Sequence, residues 1–350
     1  MTPALNGPFS QPSRVALIDA YFGERKVAPA DAWKDVYRLL LWADPTTGLA
    51  HCYESDKAQP GRPWYARTLA FHAWVAAQLS VGADELPGEI DWMFRSVIQR
   101  VAAEETAKRQ ILAERGRDQR NPYEAQGMPE PGDDPELREL LEPLLPEAHD
   151  QRPSPEITRE VLRTIRAYIA SENKRKNLLG RGFEDVLKGI LDRLDGPRPA
   201  QTGVQIALQE IPGFRAPRPG DKEEKVDLWA RTGKGARALV SAKWSVRADR
   251  EKQFFGDYRT YVTFNELREP FGFYWLTNEF DPARLRANAT YIEGNRPLFD
   301  AVVHVCPEAL RVVHDLGRAD LPKTLAELRE HLDSGRIISL ASWLELVSRS

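Results

Sequence analysis

Residues 238–250, which read ALVSAKWSVRADR, join an apolar run to an unusual set of charged side chains. The apolar part is dense enough to predict a buried β-strand. Ser241 and Lys243 are two residues apart in it, so both side chains project from the same face of the strand. A lysine on a buried strand has a large desolvation cost unless a partner lies beside it. The stretch therefore predicts an α/β core with a charged site on one strand.

Strand and helix patterns alternate through the second half of the chain. The predicted strands are 204–208, 225–230, 238–246, 272–276 and 301–305, and the predicted helices are 183–191, 254–262 and 321–332. A turn at 232–235 separates the strands around Asp227 and Ser241, which predicts an antiparallel hairpin. The order of these elements, with helices before, between and after the strands, is typical of a mixed α/β sheet covered by helices on both sides.

Three segments differ in composition and in hydrophobic pattern. Apolar residues recur at spacings of three and four in residues 1–117, which predicts a helical N-terminal domain. Residues 118–153 are rich in proline and in acidic residues, as is typical of an interdomain connector. Residues 154–350 contain all the predicted strands and form the predicted second domain.

Basic and acidic residues nearly balance over the whole chain, but they are unevenly distributed along the sequence. A net charge of −3 argues against a protein that binds polyanions over its entire surface. Basic residues are concentrated locally, since residues 214–259 hold 12 Lys or Arg against 7 Asp or Glu. A second basic group contains Lys174, Arg175, Lys176 and Arg181. Such groups are usually solvated faces, and they indicate nucleic-acid binding only beside an acidic site.

The cysteines and the hydropathy of the sequence predict the cellular compartment of the protein. The two cysteines, Cys52 and Cys306, have neither a disulfide framework nor a zinc-ligand spacing, which favours a reducing compartment. Residues 1–12 lack the apolar core of a signal peptide, and 18 apolar residues nowhere run together. We therefore expect a cytoplasmic protein without membrane spans.

Four polar side chains are predicted to converge at one end of the sheet. Asp227 and Lys243 lie on adjacent predicted strands, and Ser241 lies beside the lysine. Glu184 is placed in the first turn of the preceding helix, next to its buried face. Carboxylates of this kind can hold one or two Mg²⁺ ions that polarise a phosphodiester, while a lysine can orient or deprotonate the attacking water. The set therefore indicates phosphodiester hydrolysis.

This set resembles the active site of the PD-(D/E)XK nucleases. Asp227, Ser241-x-Lys243 and the upstream Glu184 match that pattern, over about residues 173–310. The resemblance is to the type II restriction endonucleases that recognise CCGG and related sites, and it implies a restriction-endonuclease-like fold and Mg²⁺ as the cofactor. In that family a serine replaces the acid two residues before the lysine, and an acid on the following helix takes its place. This implies Asp257 as the third metal ligand beside Glu184 and Asp227.

Residues 247–250 follow the catalytic strand at once and resemble the readout motif of the same family. Arginine can donate two hydrogen bonds to guanine, and aspartate can accept from the amino group of cytosine, so Arg247, Asp249 and Arg250 are predicted to read G·C pairs in the major groove. A palindromic site implies a homodimer, with a tetramer as the alternative, on double-stranded DNA. A cognate DNA methyltransferase is expected as a genomic partner.

Three other interpretations stay open on the sequence. A repair or junction-cleaving nuclease of the same fold would share Asp227 and Lys243 but would not need Arg247. A DNA-binding protein with a decayed active site would explain Ser241. A purely structural role would make Asp249 a helix cap and the two neighbouring arginines surface residues.

Overall fold

The computed structural model describes residues 10–41, 60–99, 115, 118–119, 178–218, 220, 223–246 and 251–349. The chain divides into two compact units, of which one contains residues 1–96 and 179–350 and the other residues 97–178. The domain boundaries predicted at residues 117 and 153 fall in the second unit, most of which lies outside the described residues, so they stay predictions. No helix in the described part of the chain is both long and apolar enough to cross a membrane.

A six-stranded mixed sheet lies at the centre of the first unit. Its strands, in spatial order, are β1 (Gln201–Ala207), β2 (Lys225–Arg231), β3 (Arg237–Ala242), β4 (Phe271–Thr277), β7 (Ala301–His304) and β8 (Ile337–Ser339). The pairs β1–β2 and β2–β3 are antiparallel. The pairs β3–β4, β4–β7 and β7–β8 are parallel. A separate two-stranded ribbon consists of β5 (Ile292–Glu293) and β6 (Arg296–Pro297). The predicted mixed α/β class is confirmed.

The predicted hairpin of β2 and β3 is also confirmed. Gly235 adopts a φ of 91°, a conformation that glycine reaches without strain, and it closes the turn between the two strands. The Ala236 amide donates to the Thr232 hydroxyl at 3.0 Å, and the Thr232 amide donates to the Ala236 carbonyl at 2.9 Å. The register pairs Leu228 with Val240, so Asp227 comes opposite Ser241.

Helices flank the sheet. They are α1 (Gln11–Phe22), α2 (Ala32–Leu40), α3 (Tyr65–Leu79), α4 (Leu86–Glu89), α5 (92–99), α6 (178–192), α7 (Glu251–Phe264), α8 (Pro282–Thr290), α9 (Pro307–Val313), α10 (Lys323–Asp333) and α11 (Leu340–Arg349). The predicted stripe of α6 is buried as expected, through Phe183, Val186, Leu187, Ile190 and Leu191. The placement of Glu184 in a first turn was wrong, because the buried Leu178 and Leu179 already belong to α6.

The N-terminal helices pack directly on this α/β core. The Tyr37 hydroxyl of α2 donates to the side-chain carbonyl of Asn278, just after β4, at 2.9 Å. The rings of Phe71 in α3 and Phe280 lie edge to face with centroids 5.0 Å apart. Arg14 of α1 forms a buried ion pair with Asp185 of α6, with Nε and Oδ2 2.6 Å apart. Asp185 is the residue after Glu184, so the N-terminal helices support the helix that carries a candidate ligand.

We expect Arg14→Ala to lower the free energy of unfolding by about 3 kcal/mol, because it leaves a buried carboxylate short of its cation. Arg318→Ala is the matched control, since Arg318 pairs with Asp320 on the surface, where both side chains are more than half exposed. Such a surface pair contributes little to stability, because water and salt screen it. Chemical denaturation measures both, and an equal effect of the two variants would contradict a supporting role for the Arg14–Asp185 pair.

Candidate functional site

Asp227 is the centre of a polar cluster on β2 and β3. Its Oδ2 atom lies 2.7 Å from Nζ of Lys243 and accepts a hydrogen bond from the Ala242 amide at 3.1 Å. The Ser241 hydroxyl donates to the same oxygen at 3.3 Å. The antiparallel register of β2 and β3 brings these groups together, because Asp227 and Ser241 are opposite each other. The structure therefore unites the predicted aspartate, serine and lysine in one contact set.

Lys243 follows the last residue of β3 and is held by the neighbouring strand. Its amide donates to the Leu276 carbonyl of β4 at 2.9 Å, which extends the ladder of β3 by one residue. Burial lowers the pKa of Lys243, but the ion pair with Asp227 and the charges of Glu184 and Asp257 outweigh this and raise the pKa above its ordinary value. The side chain is consequently a fixed ammonium group at neutral pH.

Glu184 reaches the cluster from α6 and is 6% exposed. The amide nitrogen Nε2 of Gln205 lies 2.8 Å from Oε2 of Glu184 and 3.2 Å from Oδ1 of Asp227, so one carboxamide bridges the two carboxylates. Burial, and then the charge of Asp227, raise the pKa of Glu184 to about 8, against the smaller opposing effects of Lys243 and Gln205. Two acids are thus held close together in a poorly solvated position.

Gln205 is a site residue that the sequence interpretation missed. It lies in β1, where the register pairs Val204 with Leu228 and Ile206 with Val226. This places Gln205 opposite Asp227. Its φ of 50° falls in the left-handed region, which a non-glycine residue rarely adopts. The only signal in the sequence was the alternation of apolar and polar residues along the strand. That pattern could not identify Gln205 as a site residue, because it does not show which residue of β2 lies opposite Gln205.

Asp257 lies in the middle of α7 and is partly buried. Burial, and then the negative charge of Asp227, raise its pKa to about 6, while Lys243 lowers it. Asp257 is therefore near enough to Asp227 and Lys243 for their charges to affect its titration. Its role as a metal ligand stays a prediction.

The predicted recognition residues Arg247, Asp249 and Arg250 lie outside the described residues. The chain on either side of them is anchored. The Val246 amide donates to the carboxylate of Glu279 at 3.1 Å, and Glu279 is 3% exposed. Glu251 accepts a hydrogen bond from the Tyr291 hydroxyl at 2.6 Å.

The donor set is compatible with a magnesium ion. Within the described ranges, no group of three or more His, Cys, Asp or Glu side chains is arranged to hold a metal ion. Mg²⁺, however, keeps several waters and commonly binds through one or two carboxylates together with substrate phosphate. Glu184 and Asp227 supply two carboxylates that both accept a hydrogen bond from Nε2 of Gln205. A divalent cation would also relieve the repulsion between them.

The raised pKa of Glu184 predicts a pH-dependent stability. In the folded protein the pKa is about 8 against an ordinary 4.5, so the folded state binds more protons between these values. The free energy of unfolding therefore falls as the pH rises from about 4.5 to about 8. Glu184→Gln removes this titration and, in EDTA at alkaline pH, should stabilise the protein by about 1 to 2 kcal/mol.

Thermal unfolding of both proteins across this pH range measures the effect. Asp257, with a pKa of about 6, contributes the same trend to both proteins at the acidic end. Glu308→Gln is the control, because the Glu308 side chain is 71% exposed. Parallel pH curves for Glu184→Gln and the unmodified protein would contradict the buried, proton-binding state of Glu184.

Comparison of the chain with family models, with curated proteins and with solved structures gave no match.

Proposed function

We propose that this protein is a Mg²⁺-dependent endonuclease of double-stranded DNA, and specifically a type II restriction endonuclease acting at a CCGG-containing or closely related palindrome. The observation that carries the proposal is the 2.7 Å pair of Lys243 and Asp227 on adjacent strands, with Glu184 joined to Asp227 through Gln205. A lysine and two acids on three different elements, brought to one end of a mixed sheet, suit hydrolysis of a phosphodiester.

The fixed ammonium group of Lys243 has a defined part in this chemistry. It donates to Asp227 and carries a positive charge at the place where a scissile phosphate gains negative charge. Because its pKa is raised, Lys243 acts by orienting water and by neutralising charge, and not as a base. The Ser241 hydroxyl and the Ala242 amide donate to the same Asp227 oxygen as Lys243 and help to hold the carboxylate in one orientation.

Glu184 and Asp227 would hold the metal ion. When bound, Mg²⁺ supplies a Lewis acid that polarises the phosphate and stabilises the leaving oxygen. The two carboxylates provide the negative charge that such an ion requires, and the supporting pair of Arg14 and Asp185 fixes the helix that carries Glu184. This intact set favours a cleaving enzyme over a DNA-binding protein with a decayed site.

Sequence specificity is assigned to Arg247, Asp249 and Arg250, on their resemblance to the family's readout motif. They begin one residue after Val246, whose amide is tied to the buried Glu279. A recognition segment that starts from a fixed point, only four residues beyond Lys243, would keep a constant distance between the bases read and the phosphate cut. The restriction-like fold and a genomic methyltransferase partner are parts of the same proposal, as is a cytoplasmic location.

A homodimer follows from the proposed palindromic site, because each strand needs its own reading set and its own cut. Light scattering of the protein with and without a CCGG-containing duplex is expected to give twice the monomer mass, or four times for a tetramer. A monomer under both conditions would contradict this.

The nuclease proposal is tested with an end-labelled CCGG-containing duplex in Mg²⁺ and in EDTA. We expect the unmodified protein to cleave the duplex in Mg²⁺ and not in EDTA, and we expect no cleavage by Asp227→Asn. Asp300→Asn, the same substitution at a residue just before β7, is the control and should cleave at the normal rate. Cleavage in EDTA, or full activity of Asp227→Asn, would overturn the assignment.

A further inference from the structure

The carboxamide of Gln205 lies between the two candidate ligands and contacts both. Its Nε2 atom is 2.8 Å from Oε2 of Glu184 and 3.2 Å from Oδ1 of Asp227. The two acceptors belong to different elements, since Glu184 is on α6 and Asp227 is on β2. Gln205 thus occupies the position from which a group can reach both acids at once.

This position is maintained against the preference of the backbone. Gln205 has a φ of 50° within a strand, a left-handed conformation that is unfavourable for a non-glycine residue. The neighbouring pairs Val204–Leu228 and Ile206–Val226 keep the register on both sides of it. The conformation is therefore local to Gln205, at the strand position opposite Asp227. Strain of this kind is commonly retained where a side chain has a function.

A glutamine can serve such a site in two ways. Its NH₂ group donates to carboxylates, whereas its carbonyl oxygen is an ordinary ligand for Mg²⁺ and related hard cations. A half-turn about the terminal torsion exchanges the two atoms without moving the rest of the side chain. The same carboxamide can accordingly bridge the acids by hydrogen bonds or face a cation with its oxygen.

We propose that Gln205 supplies the third protein ligand, through Oε1, to a divalent cation held by Glu184 and Asp227. This inference rests on the proposed function, which calls for such a cation. It assigns to Gln205 the place that the resemblance gave to Asp257. Gln205 contacts both acids directly, whereas Asp257 interacts with Asp227 and Lys243 through its charge.

The ligand role and a purely hydrogen-bonding role predict opposite effects for Gln205→Glu. A carboxylate keeps an oxygen ligand of the same length and adds a negative charge, so a ligand role predicts cation binding equal to or tighter than that of the unmodified protein. A donor role predicts weaker binding, because the NH₂ group that holds the two acids is lost and a third acid repels them. Gln205→Met, of similar length, removes both functions.

The experiment is a titration of the full-length protein with Mn²⁺ alone, in which the signal of free Mn²⁺ is followed by electron paramagnetic resonance. We expect Gln205→Met to weaken binding about 10- to 100-fold and Gln205→Glu to leave it unchanged or tighter. Glu308→Gln is the control, because the Glu308 side chain is 71% exposed, and it should change Mn²⁺ binding less than about threefold. Circular dichroism checks folding, and if Gln205→Met does not fold, the direction of the change in Gln205→Glu decides.

Weaker binding by Gln205→Glu, unaltered binding by Gln205→Met, or no Mn²⁺ binding by the unmodified protein would each overturn the inference. Failure of the proposed function would look different. A protein that binds Mn²⁺ with the expected order of variants but does not cut duplex DNA would keep the ligand assignment and lose the nuclease.

Discussion

Replacement of Lys243 by alanine is expected to reduce cleavage of duplex DNA by about 10²- to 10³-fold while DNA affinity changes by less than about threefold. The ammonium group pairs with Asp227 at 2.7 Å and is placed to act on the phosphate that reacts. Losing one preorganised charge at a reacting centre commonly costs two to three orders of magnitude in rate. Binding is spread over many phosphate contacts, so one lysine contributes little to it.

Single-turnover cleavage and equilibrium binding at fixed salt separate the two effects. Lys225→Ala is the matched control, because Lys225 begins β2 but is half exposed and lies near Glu223. It should cut at the normal rate. Thermal unfolding must accompany both variants, since Lys243→Ala leaves Asp227 without its cation. If folded Lys243→Ala cuts at the normal rate, the catalytic assignment is wrong.

Arg247→Ala and Arg250→Ala are each expected to lose about 1 to 3 kcal/mol of discrimination between a CCGG-containing duplex and a scrambled one. An arginine that makes two hydrogen bonds to guanine strengthens binding to the cognate sequence and strengthens binding to other sequences much less. Binding should therefore weaken mainly on the cognate duplex. The fold should be retained, because both residues lie in a short segment between the anchored Val246 and the start of α7.

Lys252→Ala is the control for nonspecific electrostatics. Lys252 is exposed in the first turn of α7, two residues beyond Arg250, so its loss should affect both duplexes alike. Fluorescence anisotropy at constant salt measures all three variants. Equal losses on both duplexes for Arg247→Ala and Arg250→Ala would make these residues phosphate contacts and would remove the support for a CCGG-reading enzyme.

Much of the fold was predictable because it is encoded in short-range patterns. The stripe from Phe183 to Leu191 and the turn ending in Gly235 are local signals, and both describe the observed α6 and the β2–β3 hairpin. Once Asp227 and Lys243 were placed on paired strands, their contact required only the strand register. Glu184 then reaches the same cluster from α6, through Gln205.

Other parts depend on information that no short stretch carries. The left-handed conformation of Gln205 and its bridging of two acids depend on the pairing of β1 with β2 and on the approach of α6. The buried pair of Arg14 and Asp185 joins residues 171 positions apart, so composition could not predict that N-terminal helices would pack on the sheet. Strand β8 is only three residues long and gives a weak signal.

Plasmid DNA of known sequence, incubated with the protein in Mg²⁺ and followed by sequencing of the cut ends, tests the central claim most directly. We predict discrete fragments whose ends all fall at one fixed position relative to a CCGG-containing palindrome, with both strands cut. Uncut plasmid, or ends distributed without regard to sequence, would contradict a type II restriction endonuclease.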